Sequence, residues 1–498
     1  MAMAEQNNVI IDQIEISPTI FRNYDIRGVA DIDPLEPSKH RPIDLTARQA
    51  WLIGKAYGTW LQRNSGKKIV VGRDNRRTSI DLASGFITGA LSSGCEVIDI
   101  GLSTAPLVYF AIDELGCDGG LIVTGSHNPM WSNGLKLCKK GYKTLIGEEI
   151  FFLFEMIRDQ DFKEGTGSYK SDTSVREIYV QAVKSRVKPA SKKLKVVVDS
   201  GNATGGLLGL RILRELGYEI VPINTDIIYP FPKGAPDPEQ PGTLMELGAK
   251  VRETKADVGI AYDGDADRVG VVDENGNKLE SDLLVLLLAR EVIEENPGAE
   301  IVFDVKCSDI LIEDIKKRGG IPVMWKTGHS NIKQKMSDDA AAGIPALLGG
   351  ELSGHIFFRD RFYGFDDAVY ASCRVLEILS QKNTTITKLL KDLPELKTTR
   401  ELALPCPDEQ KSFVITQLQN QLRKQGYDVI DIDGARVSFG QHMWALVRIS
   451  NTQPKLTSRF QATNMNDLKE IVELVHKALS EYDFVDLRDL EKGLKEVV

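Results

Sequence analysis

Three stretches of the 498-residue chain spell the same strand–helix–strand unit, and that repetition limits the folds open to it. The first runs from KKIVVGRD (67–74) through a helix-like segment to CEVIDIG (95–101) and GLIVTGSHNP (120–129). The second runs from KVVVDSGNATGG (195–206) to YEIVPIN (218–224) and VGIAYDGDADR (258–268). The third runs from IVFDVKCSD (301–309) to IPVMWKTGHS (321–330) and IPALLGGELSGH (344–355). Each unit opens on a short β-branched run, the pattern of a buried strand. A helical stretch follows and stops at glycine: Gly94, Gly217, and the Gly319–Gly320 pair. Such spacing predicts parallel strands joined by right-handed crossovers, with ligands bound at the loops beyond the strand ends.

In each unit the third strand runs into a loop rich in glycine and polar residues: TGSHNP, DGDADR and GGELSGH. If the units share a fold, these loops are equivalent, and three domains can aim one loop each at a common cleft. PFPKGAPDPEQP (230–241) interrupts the second unit as a long loop. After about residue 395 the pattern changes: KTTRELALPCPDEQ reads as a linker into a smaller α+β module that holds MWALVRISNTQP (443–454). The expected organisation is an α/β fold of three similar mixed-sheet α/β domains and a smaller C-terminal α+β domain around a central cleft, divided at 14–176, 177–280, 281–395 and 396–498.

A net charge of -9 argues against nucleic acid or an anionic membrane as the main partner. Six scattered cysteines with no C-x-x-C pair argue against a disulfide framework and fit a reducing cytoplasm. The N-terminus has no signal-peptide pattern, and the most apolar run, Leu283 to Ala289, is far shorter than the ~20 residues a membrane span needs. That run reads as part of a buried helix.

DGDADR alternates Asp263, Asp265 and Asp267 with the small Gly264 and Ala266. Small spacers let three carboxylates converge, and converging carboxylates repel unless a divalent cation joins them. Oxygen-only ligands point to Mg²⁺, Mn²⁺ or Ca²⁺ rather than Zn²⁺. An EF-hand is rejected because Arg268 stands where that loop needs glycine. TGSHNP places Ser126 on a loop after a buried strand; alone it reads as a proline-marked turn, and the metal loop in the equivalent position of the next unit gives it weight. His127 is adjacent in sequence, poor geometry for a base acting on Ser126. A phosphoserine there would supply strong oxygen acceptors, one of which completes a metal's coordination. Lys136 and Arg268 are candidates to offset the remaining negative charge.

RISNTQPKLTSR offers Arg448, Ser450, Asn451, Thr452 and Arg459 as an inventory for a substrate phosphate. In GGELSGH, Glu351 and Ser353 can hydrogen-bond sugar hydroxyls, while His355 and His329 are ambiguous, a lone histidine being more often structural than catalytic. Tyr24 and Arg27 in FRNYDIRG stand open in the same way. Neither a Walker A motif nor G-x-G-x-x-G is present, so nucleotide readings lose ground.

Taken together and in this order, FRNYDIRG (21–28), TGSHNP (124–129), DGDADR (263–268), GELSGH (350–355) and RISNT (448–452) resemble the α-D-phosphohexomutase family. The resemblance covers nearly the whole chain. It implies three similar α/β domains and a fourth, smaller domain that closes over the substrate phosphate. It implies that phosphorylated Ser126 gives its phosphoryl group to a hexose phosphate, that the hexose 1,6-bisphosphate reorients, and that Ser126 takes back the other phosphate. One Mg²⁺ on Asp263, Asp265, Asp267 and Ser126 is expected to stabilise the transferring group together with Arg268. Arg27, Lys136 and His329 are candidates for proton handling near Ser126. Tyr24, Lys306, Glu351, Ser353, His355, Arg448, Ser450, Asn451 and Thr452 are the implied substrate contacts. Gly125 before Ser126, and Asn451 between Ser450 and Thr452, resemble the bacterial phosphomannomutase/phosphoglucomutase group rather than the phosphoglucosamine mutases. Leu352 and Gln461 depart from that group's usual Met and Glu. A monomeric cytoplasmic enzyme acting on mannose and glucose phosphates is expected. The alternatives are a phosphoglucosamine mutase, a metal-dependent sugar phosphatase and a catalytically silent scaffold; the presence of Ser126 and the aspartates weighs against the last.

Overall fold

The computed structural model describes residues 9–11, 14–450 and 453–496. Three of its sheets repeat one topology. In the first, Lys68–Arg73 lies between Glu96–Leu102 and Gly119–Val123, parallel to both. In the second, Lys195–Asp199 lies in the same way between Glu219–Ile223 and Val258–Tyr262. In the third, Glu300–Asp304 lies between Ile321–Trp325 and Ala346–Gly350. These are the nine strands of the repeat. Helices Ser79–Ser92, Gly209–Glu215 and Ile310–Lys317 follow each first strand. The first two are followed by Gly94 and Gly217 at φ +95° and +100°, a region open to glycine without the Cβ penalty.

Each unit then adds a fourth strand the sequence pattern does not announce as part of a hairpin. Ser132–Lys139, Val269–Val272 and Ile356–Phe358 return antiparallel beside the third strand. TGSHNP, DGDADR and the GGELSGH turn are therefore the three equivalent hairpin connections. The sheets are mixed α/β, buried on both faces; all five residues of Val258–Tyr262 are buried.

One apolar core runs through all three units. It holds Tyr109 and Phe110 of the first, Tyr262 of the second, and Phe365 and Tyr370 of the third; Tyr109 packs on Phe365 and Phe110 on Tyr179. A second cluster fills the other face of the first sheet, under the helix Ala47–Arg63. Leu283 to Ala289 lies inside the helix Ser281–Glu295, as expected.

The C-terminal module has its own core, built from Leu418, Val437, Val447, Phe460 and Val475. Its antiparallel sheet backs onto the helices Asp408–Lys424 and Met465–Leu479. The linker reading of KTTRELALPCPDEQ is corrected: Lys397–Thr398 and Leu402–Pro405 are strands that pair with Lys455–Ala462. They are too short to show a period, and Pro405 ends the second at an edge where its missing N–H costs no ladder bond. The module meets the third unit through a small apolar cluster of Val305, Trp444 and Leu446 and through polar contacts. Arg436 donates to the carbonyls of Val305 and Cys307, Arg459 to that of Lys306, and Gln461 to Asp309.

Candidate active site

Ser126 sits in the first hairpin connection at φ +48°, buried. Its backbone N–H donates to Thr124 Oγ1 (2.8 Å), and its hydroxyl donates to Asp263 Oδ2 at 2.7 Å. The first and second loops thus meet through the serine. The approach is close at the backbone as well: a Cβ on Gly264 would lie 2.4 Å from the Ser126 carbonyl oxygen, so the small spacer serves loop-to-loop contact as well as carboxylate convergence. The expectation about His127 is overturned. The left-handed turn at Ser126 swings the next side chain back, and His127 Nδ1 lies 3.1 Å from Ser126 Oγ. Burial, with Arg268 and Arg27 nearby, holds that imidazole's pKa well below the ordinary value.

The three aspartates are fully buried beneath the serine, with ligand oxygens within 4.8 Å of one another. Asp263 Oδ1 accepts from the backbone N–H groups of Asp267 and Arg268. Lys136 Nζ, from the strand leaving the serine loop, bridges Asp265 Oδ2 (2.7 Å) and Asp267 Oδ2 (2.6 Å). Burial opposes the lysine's charge, but the two carboxylates outweigh it and hold its pKa above the ordinary value. Burial, helped by Asp267 and Asp265, pushes the Asp263 carboxyl up. Asp265 Oδ1 has no hydrogen-bond partner, and Asp267 Oδ1 faces the His355 ring nitrogen at 3.4 Å without a well-formed hydrogen bond. Buried carboxylate oxygens without partners are costly, and a divalent cation with oxygen preference satisfies them. The donor set therefore fits the expected metal.

The third loop supplies His355. Its Nε2 lies 3.4 Å from Asp267 Oδ1, and its Nδ1 lies 3.0 Å from Glu351 Oε2 and 2.9 Å from Ser353 Oγ. Burial opposes its charge, but Asp267 and Glu351 raise its pKa to about 9. His329 opens the helix His329–Ala341 and stacks on His355 with ring centroids 5.3 Å apart. Burial, then Lys333 and His355, hold His329 well below its ordinary pKa. The pKa values of the two stacked histidines are thus shifted in opposite directions. Arg268 reaches His355 Nε2 at 3.4 Å, and Arg27 pairs with Asp25 (2.5 Å) while donating to the Thr124 carbonyl.

These loops open on a cleft of about 750 Å³. Tyr24, Arg27, Ser126, Lys136, Arg268, Lys306, His329, Glu351, Ser353, His355, Arg448 and Ser450 all line it. Asp263, Asp265 and Asp267 lie behind Ser126 and Lys136. Asn451 and Thr452 fall outside the described residues. Arg448 pairs through Nε with Asp433 Oδ2 (2.9 Å) and keeps Nη2 without a hydrogen-bond partner. Arg459 is corrected: its guanidinium lies against the Lys306 carbonyl (2.5 Å) and Asp282 (3.3 Å), so it ties two domains together. Missed from sequence were Glu401, which reaches Lys306 at 3.3 Å from the supposed linker, and Arg76, whose guanidinium lies under the serine loop. A charged run directly after the first strand, RDNRR, was the available signal for the latter.

A repeated α/β unit, a serine seated on a carboxylate cluster and a basic cleft together define a phosphohexomutase. The comparisons with known proteins agree. Models of the phosphoglucomutase/phosphomannomutase α/β/α domains I, II and III match residues 18–163, 177–276 and 280–396 in that order. The chain belongs to the α-D-phosphohexomutase family, and it is a phosphotransferase that interconverts hexose phosphates. A phosphomannomutase/phosphoglucomutase of Pseudomonas syringae pv. tomato is 40% identical over 461 residues, covering 93% of this chain and 95% of that protein. A phosphoglucomutase of Neisseria meningitidis serogroup A is 36% identical over 463 residues, covering 92% and 95%. The crystal structure of a phosphoglucomutase/phosphomannomutase family protein from Burkholderia thailandensis superposes with a TM-score of 0.85 at 38% identity, covering 94% of this chain and 98% of that one. Among the described residues no helix is long and apolar enough to cross a membrane.

Proposed function

We propose that this enzyme interconverts the 1- and 6-phosphates of mannose and glucose, with Ser126 as a reusable phosphoryl store. The observation that carries the reading is the Ser126 hydroxyl at 2.7 Å from Asp263, on the floor of a cleft lined by arginine, lysine and histidine. Mannose and glucose rest on the names of the relatives and on Gly125 beside Ser126.

In the first half of the cycle a sugar hydroxyl oxygen attacks the phosphorus carried on Ser126. The new O–P bond forms and the bond to Ser126 Oγ breaks. The hydroxyl proton passes to a neutral acceptor; His329 lines the cleft, is kept neutral by burial, and has its Nδ1 3.5 Å from Asp366 Oδ2, which makes it the candidate. The proton taken from the sugar hydroxyl is returned to Ser126 Oγ as its bond to phosphorus breaks, so the half-reaction is balanced. The product is a hexose 1,6-bisphosphate; after it turns over, the second half runs the same steps in reverse from the other phosphate. Lys136 stays charged against Asp265 and Asp267, so it serves as a fixed positive charge for the developing negative charge, as do Arg27 and Arg268. Asp263, Asp265, Asp267 and Ser126 Oγ would hold Mg²⁺, which when bound neutralises charge on the transferring group. Lys306, Glu351, Ser353 and His355 would engage the sugar, with Tyr24 beside them. Arg448 and Ser450, with Asn451 and Thr452, would hold the non-transferring phosphate.

The test is incubation with mannose 1-phosphate or glucose 1-phosphate, Mg²⁺ and a hexose 1,6-bisphosphate activator. Both sugars should appear as 6-phosphates. Failure to convert either, or release of inorganic phosphate at the same rate, overturns the reading. Faster conversion of glucosamine 1-phosphate would reassign the substrate.

A further inference from the structure

Beneath the serine loop lies a charged pair that the chemistry above does not use. Asp74 and Arg76 follow the first strand of the first unit, are buried, and are not among the residues lining the cleft. Arg76 Nη1 donates to the carbonyls of Pro129 (2.8 Å) and Ser132 (3.0 Å). Its Nη2 donates to those of Ser126 (2.8 Å) and Asn128 (2.7 Å). Asp74 takes the loop's opposite polarity: Oδ2 accepts the Gly125 N–H at 3.0 Å and lies 3.3 Å from Arg76 Nε. Asp74 is itself fixed, because Oδ1 accepts from the Arg76 backbone and the Ser79 hydroxyl. The far side of the guanidinium faces the Phe231 ring, 5.4 Å away, so the clamp is closed by the second unit. The fit leaves no slack: a Cβ on Gly125 would lie 2.2 Å from Arg76 Nε.

Resting on the phosphoserine reading, we propose that Asp74 and Arg76 position Ser126 by holding the backbone of its loop from below. They do not touch substrate. One planar fork with several fixed donors can engage carbonyls on both sides of a turn, which a single ammonium cannot do in the same geometry. The serine is a donor in one half of the cycle and an acceptor in the other, so its oxygen must return to the same place each time. A displacement of about 1 Å in such a geometry costs roughly 100-fold in rate.

The test compares kcat and KM for glucose 1-phosphate in Arg76→Ala, Arg76→Lys and Gly125→Ala, with thermal unfolding recorded for each. Arg76→Ala should lower kcat about 100-fold with KM within about threefold, and Arg76→Lys should recover part of the loss. Gly125→Ala pushes the same loop off the same clamp and should mimic Arg76→Ala. In the double variant the overlap is relieved, so the two losses should not multiply. Folded Arg76→Ala and Gly125→Ala proteins with kcat within about twofold of wild type overturn the proposal. So does loss of cooperative unfolding in both, which would assign the pair to the fold alone. Inactive wild-type enzyme would instead count against the phosphoserine reading, so the two failures are distinct.

Discussion

The two ends of the cleft are built differently. At the reacting end, Ser126, Lys136 and the aspartates are buried and cross-bonded, and one apolar core continues through the three units that carry the cleft's three loops. At the other end, Arg448 and Ser450 belong to a module with its own core, docked on the third unit by side chain-to-carbonyl bonds and a small separate apolar cluster of Val305, Trp444 and Leu446. Arg448 there keeps one buried nitrogen without a partner. Welded apolar cores resist displacement, whereas small polar interfaces permit it. On the proposed function, the difference is a division of labour: bond-making atoms are preassembled, and spare hydrogen-bonding capacity is kept where a phosphate would be held.

The sharpest break of that contrast is at the carboxylates. Asp265→Asn removes one anionic oxygen from the cluster and one partner of Lys136. Steady-state kinetics should show kcat down by about 100- to 1000-fold with KM little changed, the signature of a group that acts in the transition state. At the other end, Arg448→Ala should do the reverse. Charge-assisted hydrogen bonds contribute about 1.5–3 kcal/mol, so KM should rise about 10- to 100-fold with a smaller change in kcat. Equal losses of kcat in both variants would erase the distinction.

A smaller effect probes how tightly the welded end is held. Asp367 caps the helix Ala368–Gln381, accepts from Tyr179 of a neighbouring helix at 2.8 Å, and is fully buried. Burial raises its pKa to about 7. Between the unfolded carboxyl's ordinary range and that value the folded state binds the extra proton. Stability is therefore greatest at the low end of this window and is lost as pH rises through about 7. Thermal unfolding between pH 6 and pH 8 should reveal a loss on the order of 1 kcal/mol, and Asp367→Asn should flatten it.

Much of this was legible in the residues. The β-branched runs announced nine strands because buried parallel strands need them, and the three loops stood out by their polarity against those runs. The order of the motifs named the family. The hairpins were harder to see, since VGVV and IFF carry no periodicity that separates antiparallel from parallel neighbours. The contact between His127 and Ser126 depended on a left-handed φ at a serine, which residue types alone do not dictate. RDNRR marked Arg76 as one of a charged run but not its role, because its partners are backbone carbonyls some 50 residues away, and carbonyls leave no mark in a sequence. Arg459 looked like a phosphate ligand by composition; only the packing of the fourth module on the Lys306 loop assigned it elsewhere.

The account stands on Ser126 as the residue that carries and returns the phosphoryl group. The most direct measurement is peptide mass mapping after incubation with a hexose 1,6-bisphosphate, followed by a chase with hexose 6-phosphate. A single phosphoryl group on the peptide containing Ser126, removed by the chase and absent in an inactive Ser126→Ala enzyme, is the predicted result. A phosphoryl group on another residue, or a Ser126→Ala enzyme that still interconverts hexose phosphates, would contradict it.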